Sequence, residues 1–138
     1  MPKTKLTASL EDYLESLFNH IEANQSVKAI DISKELSVSR ASVTEALKKL
    51  EQQGLIHYGR YDTIAVTDEG VKKAKEVIKK HKILNEFFAD VLNLSSEQAA
   101  LNACRIEHVI TQDAFDKLIK FVEFCKKESK YIQKFKDY

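Results

Sequence analysis

Residues 31–56 read DISKELSVSRASVTEALKKLEQQGLI, and their pattern decides the fold. Apolar side chains recur at helical spacing on either side of Ser37-Val38-Ser39: Ile32 and Leu36 before it, Val43, Leu47 and Leu50 after it. That spacing gathers each set on one helical face, so two short helices bury those faces between them. The reading is a helix over residues 31–36, a turn at 37–39, and a second helix over residues 40–53 halted by Gly54. Leu55-Ile56-His57-Tyr58 and Thr63-Ile64-Ala65-Val66 then flank Gly59-Arg60-Tyr61-Asp62, two short strands around a turn. Helix, turn, helix and hairpin in this order read as a winged helix-turn-helix.

Upstream, Ser9 followed by Asp12 marks a helix start, and Leu10, Tyr13, Leu14, Leu17, Phe18 and Ile21 continue with helical period. Downstream, Thr67 with Asp68 and Glu69 opens a long helix whose inward stripe is Val71, Ala74, Ile78, His81, Leu84 and Phe88. Ser95-Ser96-Glu97 caps a helix through Ala100, Cys104 and His108, and Asp113 begins another with Phe115, Leu118, Ile119, Val122 and Cys125 on one side. The tail KKESKYIQKFKDY is polar and mixed in charge. No repeat, low-complexity tract or linker interrupts the chain. The expected fold class is mainly α: residues 1–70 form a winged helix-turn-helix domain with a small β-hairpin wing, and residues 71–138 form an all-helical domain.

With 138 residues, 43% apolar and 31% charged, the chain is globular in composition, which sets aside disordered and fibrous classes. No apolar run approaches the roughly 20 residues of a membrane helix, and MPKTKLTASLEDYLE lacks the apolar stretch of a signal peptide. A cytoplasmic protein with no membrane partner is expected. In that setting Cys104 and Cys125 read as a reduced thiol or metal ligand rather than a disulfide, with Cys125 packed in a core. The formal net charge of +1 and the want of a strongly basic segment imply a modest sequence-independent attraction to DNA.

Two constellations carry chemistry. Ser39-Arg40-Ala41-Ser42 opens the second helix of the helix-turn-helix, where unpaired backbone N–H groups and the helix dipole favour anions. Arg40 is the strongest candidate for reading a base edge or phosphate, while Lys48, Lys49, His57, Tyr58, Arg60 and Tyr61 can reach the backbone. The competing reading is a three-helix unit that contacts only protein. The second constellation is Cys104-Arg105-Ile106-Glu107-His108, whose thiol, carboxylate and imidazole are spaced to meet on one helical face.

His81, inside an apolar stripe, needs a partner, and Asp12 and Glu15 pair one turn apart on the first helix. Taken singly, His81 reads as a core histidine, the two carboxylates as a solvated face, and Cys104 as a small buried hydrophobe. Together Asp12, Glu15, His81, Cys104, Glu107 and His108 offer mixed oxygen, nitrogen and sulfur donors, which favour Fe2+, Mn2+ or a similar divalent transition metal over a closed structural zinc site. Cys104 beside His108 also raises a nucleophilic enzyme. No glycine-rich oxyanion loop accompanies them, and catalysis is not expected.

On SLEDYLE, the winged-helix stretch, KKHKILNEFF and ACRIEHVI, nearly the whole chain resembles the diphtheria toxin repressor and manganese transport regulator family of metal-dependent repressors. The resemblance implies a homodimer that binds double-stranded DNA at a palindromic operator when loaded with Mn2+ or Fe2+ and represses metal-homeostasis genes. It makes the later helices a dimerisation and metal-binding domain. By position, it makes Asp12, Glu15, His81, Cys104, Glu107 and His108 ligands and turns Ser39, Arg40, Ala41, Ser42 and Glu45 toward DNA.

Asp12 and Glu15 follow the manganese-type pattern, whereas Cys104 stands where iron-type members have cysteine. Asn85 and Ala100 replace the acidic or imidazole side chains of the iron-type ancillary site, so a second site of that kind is not expected. Neither is the C-terminal SH3-like domain of many iron-type members. The alternatives are a winged-helix regulator that answers an organic ligand and a metal-buffering interaction module.

Overall fold

The computed structural model describes residues 8–23 and 26–138. Its contacts divide into two compact units, residues 1–76 and 77–138. The first unit begins with α1 (Ala8–Glu22), α2 (Ala29–Leu36) and α3 (Arg40–Gln52), which pack on one another. Leu14, Leu17, Ile32, Val43, Leu47 and Leu50 are fully enclosed, as the helical periodicity requires. Truncating a leucine at such a position costs about 2–5 kcal/mol in lost transfer energy and cavity. The described helix is already formed at Ala8, so Ser9 lies inside α1 rather than ahead of it as its cap.

Polar contacts set how α1 meets α2. Ser16, itself buried, donates from Oγ to Glu35 Oε2 at 2.9 Å, and His20 Nε2 approaches the same oxygen at 2.6 Å. Ser37 ends α2 in the left-handed conformation, φ 54°. Ser39 then caps α3, its Oγ accepting from the Ser42 N–H at 3.1 Å. Ser39→Ala should cost about 1 kcal/mol, read as a lower urea midpoint at unchanged slope.

Gly54, at φ +74°, turns the chain out of α3, with Leu55 N–H donating to Leu50 O at 3.1 Å. The wing follows: β1 (Ile56–Tyr58) pairs antiparallel with β2 (Ile64–Val66) in the register Ile56 to Val66, His57 to Ala65 and Tyr58 to Ile64. Each strand is a residue shorter than its sequence pattern. A short 3-10 turn at Arg60–Asp62 joins them, with Tyr61 at φ 61° and almost fully exposed. Glu51 Oε2 accepts from Tyr58 N–H at 2.7 Å and ties the wing to α3.

Helix α4 (Asp68–Glu86) opens in the first unit against the base of the wing. Thr67 Oγ1 donates to Gly54 O at 2.7 Å and accepts from Gly70 N–H at 3.1 Å, while Thr67 N–H donates to Leu55 O at 3.0 Å. One threonine thus caps α4 and fastens it to the turn after α3. Gly70 is buried against Leu55 O and Val66 Cγ1, so closely that a β-carbon there would stand 2.0 Å and 2.6 Å from them.

The second unit contains the later part of α4, a π-helical turn at Phe87–Val91, α5 (Ser96–Ile106), α6 (Gln112–Lys127) and α7 (Ser129–Asp137). Among the described residues, Leu84, Val91, Ala99, Ala103, Phe115, Val122 and Cys125 are its buried apolar side chains, with Val77, which the expected stripe omitted. Ser95 caps α5 by accepting from Gln98 N–H, and Thr111 caps α6 by accepting from Ala114 N–H. Phe87 meets Phe88 and Phe121 edge to face. Lys126 Nζ donates to Glu86 Oε2 at 2.8 Å, and that hydrogen bond holds the ammonium above its ordinary pKa. The polar tail is helical, as an all-helical domain requires: Lys126 and Lys127 close α6 and Ser129–Asp137 form α7, with Tyr131 stacked on Phe124 at 5.3 Å.

Candidate metal centre and nucleic-acid interface

Among the described residues of the second unit, Cys104 Sγ, a Glu107 carboxylate oxygen and a His108 ring nitrogen all lie within 4.8 Å of one another. The expected single helical turn does not hold all three. Helix α5 ends at Ile106, Glu107 is its C-terminal cap in right-handed helical conformation, and His108 sits in the following turn. Because Glu107 keeps helical dihedrals, the convergence expected of an i, i+3, i+4 set survives the end of the helix.

The Glu107 side chain is 1% exposed and lies between two imidazoles. His81 Nδ1 is 2.8 Å from Oε2, and His108 Nε2 is 3.4 Å from Oε1. A carboxylate this deeply buried is costly unless charge or hydrogen-bond partners face it; His81 meets one oxygen, whereas Glu107 Oε1 and His108 Nε2 are buried without a hydrogen bond among the described residues. Cys104 is exposed, whereas Cys125 is buried as expected of a core residue. His81 has the partner the sequence required, Glu107, but it is not the inward residue expected, for its side chain stays 35% exposed. The donor set, one soft sulfur with nitrogen and carboxylate oxygen, fits a divalent transition metal.

Asp12 and Glu15 lie in the first unit, one turn apart on α1 and partly exposed. Asn85 presents a buried Oδ1 with no hydrogen-bond partner among the described residues, and Ala100 is exposed. Neither supplies an acidic or imidazole donor.

In the first unit Ser39, Arg40, Ala41, Ser42, Glu45 and Lys48 are all exposed on α3, opposite the buried Val43, Leu47 and Leu50, and Arg60 is exposed at the wing turn. The hydroxyls of Ser39 and Ser42 are engaged with each other at 2.9 Å in the cap, which rigidifies the helix start that carries Arg40. Glu45 pairs with Lys49 at 3.5 Å. The Thr67 and Gly70 fastening and the Glu51 to Tyr58 tie escaped sequence reading. The clue available was a threonine followed three residues later by a glycine directly after the hairpin.

The iron dependent repressor N-terminal DNA binding domain matches residues 5–64, and the iron dependent repressor metal binding and dimerisation domain matches residues 67–135. The chain belongs to the iron-dependent repressor family. The repressor is 33% identical over 119 residues to an uncharacterized HTH-type transcriptional regulator of Methanocaldococcus jannaschii, covering 86% of this chain and 95% of that protein. It is 28% identical over 134 residues to the HTH-type transcriptional regulator MntR of Bacillus subtilis, covering 93% and 94%.

Among solved structures it resembles the manganese regulator SloR, with a TM-score of 0.74 and 25% identity over 90% of this chain and 55% of SloR. The chain thus spans about half the length of that solved relative. The repressor is a member of a metal-dependent family of DNA-binding regulators rather than of enzymes, and it carries that family's dimerisation domain. Among the described residues no helix is long and apolar enough to cross a membrane.

Proposed function

We propose that the repressor is a homodimer that binds a palindromic operator when loaded with Mn2+ or Fe2+ and thereby controls metal-homeostasis genes in the cytoplasm. The observation that carries this reading is the convergence of Cys104, Glu107 and His108 within 4.8 Å in a chain that also holds a winged helix-turn-helix. Residues 1–70 serve as the DNA-binding domain and residues 71–138 as the dimerisation and metal-binding domain.

Cys104, Glu107, His108 and His81, with Asp12 and Glu15 of α1, are the proposed ligands. When bound, a divalent ion supplies positive charge that offsets the thiolate and carboxylates. Glu107 orients His81 through Oε2, which leaves its buried Oε1 and His108 Nε2 as donor atoms toward an ion. Ser39 fixes the start of α3, and Arg40, Ala41, Ser42, Glu45 and Lys48, with Arg60 of the wing, face DNA. Affinity for the ion and affinity for the operator rise by a common factor, typically ~5–150-fold.

The test begins with duplexes selected from a random-sequence pool by protein in Mn2+ or, anaerobically, in Fe2+; air is excluded because an exposed thiolate oxidises. Arg40→Ala should weaken binding to the selected duplex by about 1–3 kcal/mol while leaving metal affinity unchanged. Binding that persists under strong chelation would replace this reading with an organic-ligand regulator.

A further inference from the structure

Helix α7 is nine residues long and buries none of its side chains. Isolated helices shorter than about 12–15 residues are marginal in water, so a helix of this length depends on a surface that covers it. Its own chain covers it in part, through half-buried Ile132 and the stacking of Tyr131 on Phe124. Tyr131 and Phe135 stand four residues apart on one face, with Gln133 and Lys136 turned away from it.

The face continues on α6. Phe121 and Phe124 are three residues apart on one side of that helix; Phe124 carries the Tyr131 ring at 5.3 Å, and Phe121 meets Phe87 at 6.3 Å. All of these residues belong to the second unit. Phe121, Phe124, Tyr131 and Phe135 remain 45–51% exposed, although phenylalanine is among the residues most often buried. An aromatic side chain offers roughly 150–250 Å2 for burial, so four half-covered rings leave on the order of 400 Å2 open. That is about half of the ~800 Å2 that each partner buries in a stable interface. The edges carry both charge signs: Lys117 and Glu128 on the α6 side, Lys130 and Lys134 on α7. Lys130 Nζ lies 5.3 Å from the centre of the Tyr131 ring and 3.8 Å from Glu128 Oε2. An apolar centre with a charged rim is the anatomy of a protein interface.

The occupant follows from the domain in which the rings lie. Residues 67–135 match a dimerisation domain, and all four rings fall within it. A two-fold pairing sets such a face against its own equivalent, so rings meet rings and each α7 gains the cover it lacks. We propose that the Phe121, Phe124, Tyr131 and Phe135 face of α6 and α7 is the contact through which two copies of the repressor dimerise. This rests on the homodimer reading above and names its surface.

Sedimentation velocity of the Mn2+-loaded full chain over a dilution series reads the dimer Kd. Tyr131→Glu combined with Phe135→Glu alters no buried side chain and brings like charges together across the two-fold axis. It should raise the Kd at least ~100-fold while far-UV circular dichroism shows the chain still folded. Tyr131→Phe combined with Phe135→Leu keeps the face apolar and should stay within about tenfold of the wild-type Kd.

A folded glutamate variant that dimerises as tightly as wild type overturns the proposal. Should that variant not fold, Phe135→p-benzoylphenylalanine, which keeps an aromatic side chain, decides: light should couple it to α6 or α7 of a second copy, and coupling to another helix or to none overturns the proposal. Wild-type protein that stays monomeric at ~100 μM, above the μM to pM range of standard interfaces, refutes the homodimer reading itself. A wild-type dimer indifferent to the two glutamates refutes this surface alone.

Discussion

Glu107→Ala will lower the affinity of the repressor for Mn2+ and Fe2+ by more than ~100-fold and remove metal-stimulated operator binding. The expected size follows from the position of the carboxylate. Its side chain is 1% exposed, with one oxygen 2.8 Å from His81 Nδ1 and the other 3.4 Å from His108 Nε2. On the proposed reading, removing it deletes a donor and also the group hydrogen-bonded to His81, so the remaining candidates lose arrangement as well as charge.

Glu107→Gln preserves the shape but not the charge, and it should recover folding without recovering the metal response. Cys104→Ala, at an exposed position, should leave the melting temperature within a few degrees of wild type and still impair the response. Anaerobic titration calorimetry measures the affinity, and operator binding with and without chelator measures the response. A Glu107→Ala protein that binds Mn2+ and Fe2+ as tightly as wild type would remove this centre from consideration.

Gly70→Ala will destabilise the winged-helix unit by about 3 kcal/mol, the upper part of the usual range for overpacking. Its new methyl group would stand 2.0 Å from the carbonyl oxygen of Leu55 and 2.6 Å from Val66 Cγ1. A flexible side chain could swing away; a backbone oxygen that also accepts the Thr67 N–H cannot move without loosening the base of the wing. The strain should therefore appear as a lower urea midpoint and as weaker binding to both selected and mixed-sequence duplexes. Thr67→Val, which removes the cap and the bond to Gly54 O without a clash, should cost less, about 1–2 kcal/mol. Equal stability of Gly70→Ala and wild type would show that α4 does not press on the wing as closely as described.

Much of the fold was legible because its signals are local. Ile32, Val43, Leu47 and Leu50 are enclosed as their spacing demanded, Gly54 takes the positive φ that ends a helix, and Ser95 caps where hydroxyls precede an apolar period. The candidate centre was legible for a similar reason, since residues three and four apart share a face with no help from the rest of the chain. What escaped depended on partners distant in sequence. Glu35 joins Ser16 and His20 across fifteen or more residues, and His81 finds Glu107 across twenty-six. The break between α6 and α7 was not read, nor the stacking of Tyr131 on Phe124 that joins them.

By itself the sequence determined the order of helices and wing, the inward faces of the first three helices, and which side chains could bind a cation or a phosphate, because backbone geometry turns spacing into faces; on α4 the expected stripe held only at Ala74 and Leu84. Tertiary structure alone decided which of those faces are spoken for. Packing buried Glu107 between two imidazoles, pressed Gly70 against a carbonyl, and left the aromatic rings of α6 and α7 half exposed. Burial and pairing are set by atoms far away along the chain, and no local pattern contains them.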